Sequence, residues 1–357
     1  MEGHTHYFGA GPAALPDEVK QQAQKDLHQF QNSHLSILEL SHRSDEFSEI
    51  LSRAQSLLRD LYAIPNNYHI LFMQGGATGQ FDAVPLNILG NAKHATYINT
   101  GLWSRKAADL ARKYTAIKLI EGLDENDGEI ICKQQQSWNV SNDTAYVHIT
   151  PNETVDGIEM PDVSGLDVPI VADMTSCLLM KDINVSQYGI LYAGAQKTLG
   201  IAGLTIVIVR DDLVRQANAV TPDMYRYDIH VKENSIVNTS PVFACYMTKL
   251  MLEWVHRNGG VKKMVSLAKE RSQMLYQSIS KNDLLVNNIA AESRSSINVV
   301  FDSPEKSIID SIISQAGQQG LTGLSGHRLV GGVRASMYNG TPMEAVVQLN
   351  KIIQNHS

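Results

Sequence analysis

Four stretches of this 357-residue chain place chemically useful side chains directly after short apolar runs. "LYAGAQKTLG" carries one long charged side chain, Lys197, among small and apolar neighbours. A lysine there either snorkels, its stem buried and its ammonium wet, or is kept for an amine that can form a Schiff base. In "VPIVADMTSC", Asp173 ends an apolar run, where an unpaired carboxylate is costly. It either caps the following turn or pairs with a cation such as a protonated pyridine nitrogen. Trp103 in "NTGLWSRKA" either packs or offers a flat face to an aromatic ligand. "FMQGGATGQFDAV" joins a strand ending at Met73 to a helix expected to start near Gln80, through Gly75, Gly76 and Gly79. Free N–H groups at such a turn make an anion site, and glycine lets a ligand approach the backbone closely. The spacing matches neither the dinucleotide fingerprint nor the phosphate loop of nucleotide hydrolases.

The elements that must position these residues follow from hydrophobic periodicity. "PDEVKQQAQKDLHQF", "FSEILSRAQSLLRDLYAI" and "SRKAADLARKY" repeat as amphipathic helices. "HILFMQ", "ATYINTG", "TAYVHIT", "VPIVADM", "GILYAGA" and "LTIVIVR" are short apolar runs between and after them. Such alternation predicts an α/β fold with a mostly parallel sheet between helices, and ligands gather beyond the carboxyl ends of such strands. Asp173 and Lys197 then stand at neighbouring strand ends. Beyond residue 250 the pattern changes to long helices with short strands at "INVV" and "GGVRASMY", which predicts a smaller α+β domain. The expected division is 16–258 for the large domain and 1–15 with 259–357 for the small one, with the boundary near "RNGG". Together the four stretches supply a phosphate cradle, a stacking ring, an acid for a ring nitrogen and an amine. Those are the requirements of pyridoxal 5′-phosphate.

Bulk composition is compatible with this and excludes other classes. Apolar residues make up 43% of the chain and charged ones 19%, as in globular enzymes. A net charge of −7 argues against sequence-independent nucleic-acid binding, which needs clustered Lys and Arg. Cys132, Cys177 and Cys245 lie far apart and form neither a disulfide framework nor a metal-type pair, so no metal is expected. The apolar setting of Cys177 in "MTSCLL" argues against a reactive thiolate. No run has the length of a membrane span or of a signal peptide, and a cytoplasmic location is expected.

In order and spacing, "FGAGPAALP", "SHRSDEF", "QGGATGQFDAVPLNILG", "PNETVDGI", "ADMTS", "YAGAQKTLG", "GLTIVIVR" and "GHRLVGGVRASMYNG" resemble the phosphoserine aminotransferases. These are class V, fold-type I enzymes dependent on pyridoxal phosphate, and the resemblance spans nearly the whole chain. It implies that Lys197 carries the covalent link to the cofactor, Asp173 bonds the pyridine nitrogen and Trp103 stacks on the ring. Thr154 would meet the phenolic oxygen. Ala77, Thr78, Thr175 and Gln196 would hold the phosphate. Asn238 and Thr239 would reach that phosphate from the partner subunit of a homodimer with composite active sites. His42 and Arg43 would cross the interface towards substrate, and His327, Arg328 and Arg334 would complete an anion pocket. The implied reaction moves an amino group between L-glutamate and 3-phosphohydroxypyruvate. Some relatives also use 4-phosphohydroxy-L-threonine on the route to the cofactor.

The anion pocket is chemically sound on its own terms. Arginine offers planar paired donors to phosphate and carboxylate, so separated basic segments can build a cationic site in an acidic protein. Two departures stand out. Thr78 replaces an arginine seen in some relatives, and "MYRYDIH" places Arg226 where a "MLDY"-like run is usual.

Overall fold

The computed structural model describes residues 5–31, 34–214 and 217–356. Its centre is a seven-stranded sheet. In chain order the strands are β1 (Tyr68–Met73), β2 (His94–Asn99), β3 (Ala116–Glu121), β4 (Val147–Ile149), β5 (Ile170–Asp173), β6 (Ile190–Gly194) and β7 (Thr205–Arg210). Their spatial order is β1-β7-β6-β5-β4-β2-β3. The pairs from β6 through β3 are parallel, and β7 runs antiparallel to both of its neighbours. The mostly parallel sheet read from the apolar runs is therefore present. Its antiparallel strand arises because β6 returns to β7 through the short "AQKTLGIAGL" loop, too short for a helical crossover.

Helices cover both faces. On one side, α1 (Asp17–His28), α2 (Asp45–Tyr62) and α6 (Val242–Arg257) pack over Ile70, Ile149, Ala172 and Ile206. The apolar stripe of α2 (Phe47, Ile50, Leu51, Ala54, Leu57, Leu58) faces this core, and Ser44 caps its start by accepting the Phe47 N–H at 3.2 Å. On the other side, α3 (Gly76–Ile88), α4 (Leu102–Ala111) and α5 (Tyr227–Lys232) pack over Leu71, Tyr97, Val171 and Tyr192. Within that second layer, the buried His148 stacks on Tyr97 at 4.7 Å and bonds the Tyr192 hydroxyl at 2.7 Å. Burial pushes its imidazole down to about 3, so it stays neutral.

A further core joins β8 (Asn298–Phe301), β9 (Val333–Ser336), α8 (Lys306–Gln318) and α9 (Met343–Gln354). Helix α7 (Gly260–Ile279) runs between the two regions. Its first half buries Val261, Met264 and Ala268 in the sheet core, and its second half buries Leu275 and Ile279 in the further core. The chain's first described segment returns here too, where His6–Tyr7 pairs in parallel with Leu321–Thr322.

One boundary differs from the expectation. Helix α3 begins at Gly76 rather than near Gln80, because Gly75 takes a left-handed backbone (φ 97°) that turns the chain immediately. The N–H groups of Gly76, Ala77 and Thr78 therefore open the helix.

Candidate active site

The carboxyl ends of the parallel strands converge on one cavity, with an empty volume of about 540 Å³. Gly76, Ala77, Thr78, Trp103, Thr154, Asp173, Thr175, Gln196 and Lys197 line it. Thr150, Asn152 and Ser176 line it as well.

Lys197 sits in the tight connection between β6 and β7 and is only 9% exposed. Its Nζ donates to the Thr154 hydroxyl at 2.6 Å and stands 5.7 Å from the centre of the Trp103 ring. A solvent-seeking lysine would point its ammonium outwards, whereas this one turns it inwards onto the Thr154 hydroxyl. Gly11 passes so close that a Cβ there would touch the Lys197 stem at 3.4 Å.

Asp173 closes β5, next to β6 in register with Tyr192. It is buried, and burial pushes its carboxyl above the usual range. The Thr175 side chain and N–H (3.0 Å to Oδ1), and after them the nearby Lys197 ammonium, oppose that push. A carboxylate in such a place favours a cationic partner. Thr175 in turn accepts the Gly194 N–H at 3.1 Å, which ties β5 to β6 just below the lysine.

Trp103 lies in the first turn of α4, half-buried, with its indole Nε1 buried and unpaired. Opposite it, the N-terminus of α3 presents the opening N–H groups of Gly76, Ala77 and Thr78, an anion cradle in a helix of 13 residues. Thr150 adds a buried hydroxyl that lacks a partner among the described residues. Amine, acid, flat ring and phosphate cradle thus surround one space, and this donor set fits pyridoxal 5′-phosphate.

The remaining residues read from the sequence lie outside the cavity lining of this chain. Arg334 projects from β9, half-buried, with its Nε unpaired. Burial lowers its pKa, and the charges of Tyr338, Asp156 and Tyr7 oppose that. His327 also acts on Asp156, which places both basic groups near the start of α4. Arg328 is exposed on the same loop. His42 and Arg43 occupy the turn before α2, half-buried and exposed respectively. Asn238 and Thr239 are exposed in this chain, and Asn238 accepts a hydrogen bond from Gln74 at 2.8 Å, beside the glycine turn. Arg226 pairs with Asp228 at 2.6 Å. Cys177 is fully buried and burial pushes its thiol far up, in keeping with an unreactive thiol.

Sequence reading missed a polar network that runs from the cavity wall into the protein. Asn152 donates to the Ser176 hydroxyl and to Asn298, both at 2.8 Å, and Asn298 reaches Ser336 at 3.0 Å. It also missed Glu153, which is entirely buried. The motif "PNET" contained both residues, but nothing in their local sequence announces burial.

Fold and site together define a fold-type I enzyme of the kind that uses pyridoxal phosphate. The chain belongs to the class-V aminotransferase family, whose model matches residues 5–349. It is 43% identical to the phosphoserine aminotransferase of Acinetobacter baylyi over 356 residues, 99% of each chain. A crystallised phosphoserine aminotransferase, studied for radiation damage of its Schiff base, superposes with a TM-score of 0.94 at 36% identity, covering 99% of both chains. The pyridoxal-phosphate-bound phosphoserine aminotransferase of Trichomonas vaginalis gives a TM-score of 0.92 at 34% identity, covering 98% of this chain and all of that one.

Proposed function

We propose that the chain is a phosphoserine aminotransferase: it moves an amino group between L-glutamate and 3-phosphohydroxypyruvate, giving O-phospho-L-serine and 2-oxoglutarate in serine biosynthesis. The observation that carries the reading is the placement of Lys197, Asp173 and Trp103 around one cavity headed by the glycine turn, in a chain similar over its whole length to enzymes of that name. Pyridoxal 5′-phosphate, when bound, supplies a carbonyl carbon that takes up the amine and a protonated ring that withdraws electrons from it.

The chain's own residues do the rest. The backbone N–H groups that open α3 and the hydroxyl of Thr175, with Gln196, would hold the phosphate. Asp173 keeps a proton on the ring nitrogen. Trp103 covers the ring face and excludes water. Thr154 holds the Lys197 amine in place by the 2.6 Å bond. Lys197 takes the proton from the substrate's Cα as general base and returns one as general acid on the way back. His327, Arg328 and Arg334 receive the substrate's phosphate and carboxylate. His42, Arg43, Asn238 and Thr239 serve the neighbouring site of a cytoplasmic homodimer. Residues 16–258 form the cofactor-binding domain, and 1–15 with 259–357 form the smaller one.

Two measurements test this. The purified holoenzyme is expected to be yellow, to lose that colour as added glutamate is converted to 2-oxoglutarate, and to regain it with formation of O-phospho-L-serine once phosphohydroxypyruvate is supplied. A colourless protein, or colour that glutamate leaves unchanged, contradicts the reading. Arg334→Ala is expected to raise KM for the phosphorylated substrate about 10- to 100-fold, the worth of one charge-assisted bond, while cofactor content stays constant. An unchanged KM removes Arg334 from the pocket.

A further inference from the structure

Trp103 enters the site near the start of a ten-residue helix, whose N-cap, Gly101, has no side chain to bond the free N–H groups of the first turn. Two carboxylates from another segment take those groups instead. Glu153 accepts the Trp103 N–H at 3.0 Å through one oxygen and the Ser104 N–H at 2.8 Å through the other. Asp156 accepts the Leu102 N–H at 3.3 Å. The first three N–H groups of α4 are thereby all held. The fit is close: a Cβ on Gly101 would lie 2.5 Å from Asp156 and 2.8 Å from the Glu153 carboxyl carbon.

A fully buried carboxylate is a costly way to cap a helix. Burial pushes Glu153 up to about 7, against the pull of its two N–H partners, and it raises Asp156 as well. A serine or aspartate at the N-cap would satisfy the helix from the surface. The buried pair adds something a surface cap cannot. Two oxygens of one rigid group grip consecutive N–H groups, which fixes the rotation of α4 about its axis and hence the direction of the indole. Glu153 also precedes Thr154, whose hydroxyl receives the Lys197 amine. Helix start and reactive amine are therefore referenced to the same few backbone atoms.

We infer that Glu153, with Asp156, is a positioning pair that sets the plane of Trp103 relative to Lys197. Neither carboxylate is part of the cavity lining, and Glu153 acts through the helix it holds, while Asp156 holds the same helix and also lies in the field of His327 and Arg334. The inference rests on the reading above in which Trp103 is the face that covers the cofactor ring.

The test uses 5-fluorotryptophan at the three tryptophans, with the Trp103 line assigned by Trp103→Phe. In Glu153→Gln an amide NH₂ meets a backbone donor, so the Trp103 fluorine line should shift or broaden in the cofactor-free protein while those of Trp138 and Trp254 stay put. In the loaded enzyme, cofactor release should quicken about tenfold and kcat should fall about tenfold, with KM for the phosphorylated substrate within about twofold. Glu153→Asp, which keeps the charge, should recover part of both losses. A Trp103 line in Glu153→Gln identical to wild type overturns the inference. If Glu153→Gln does not fold, Asp156→Asn takes its place, and an unmoved line there has the same force. Trp103→Phe with unchanged cofactor affinity would sink the stacking role alone, because the fluorine signal reports the hold on α4 without cofactor.

Discussion

Lys197→Ala is expected to lose at least about 10³-fold in turnover, because in the proposed function one change removes both the covalent attachment and the general base. The yellow chromophore that borohydride fixes to the protein should disappear with it. The variant should still fold and still take up the cofactor non-covalently. The α3 cradle is backbone, and Asp173 and Trp103 are held by neighbours other than the lysine: Thr175 for the acid, and Glu153 for the helix start. Cofactor bound but not attached, with no turnover, is therefore the diagnostic combination. Turnover near wild type would show that the amine at 197 is not the reactive one, and the placement of its Nζ against Thr154 and the Trp103 ring would need another explanation.

Asp173→Asn is expected to lower kcat by about 10²- to 10³-fold with KM changed much less, the range for removing one preorganised electrostatic partner of a developing charge. The reason is specific to the site. Asparagine has nearly the shape of aspartate and retains an oxygen for the Thr175 N–H at 3.0 Å, so the strand end stays intact. What is lost is the negative charge that, in the proposed function, holds a proton on the ring nitrogen. Without it the ring withdraws electrons poorly at the moment a proton leaves the substrate. In the proposed function substrate anions bind to His327, Arg328 and Arg334, so binding should be spared. Equal losses in kcat and in substrate affinity would place Asp173 in a structural role.

The resemblance read from eight motifs agrees with a family model covering residues 5–349 and with relatives matched over the full chain. The strand ends legible in the sequence (Asp173, Trp103, Lys197 and the glycine turn) meet at one cavity because parallel strands bring their carboxyl ends to the same edge. Such residues could be found because chemistry and local pattern conflict in them: a charge or a glycine interrupts an apolar run. The start of α3 was misplaced by four residues because periodicity is blind to a left-handed glycine that starts a helix at once.

By itself, then, the sequence determined the alternation of strands and helices, the four groups of the cofactor site and the kinship of the chain, since all are written in residue type and local order. Tertiary structure alone decided that β7 reverses direction, that Thr154 rather than some other hydroxyl meets the lysine, and that Glu153 is buried under α4. The reversal follows from the short β6–β7 connection, which periodicity does not mark, and the other two contacts join residues 43 and 50 apart in the chain, a range that leaves no periodic trace in the segments that make them.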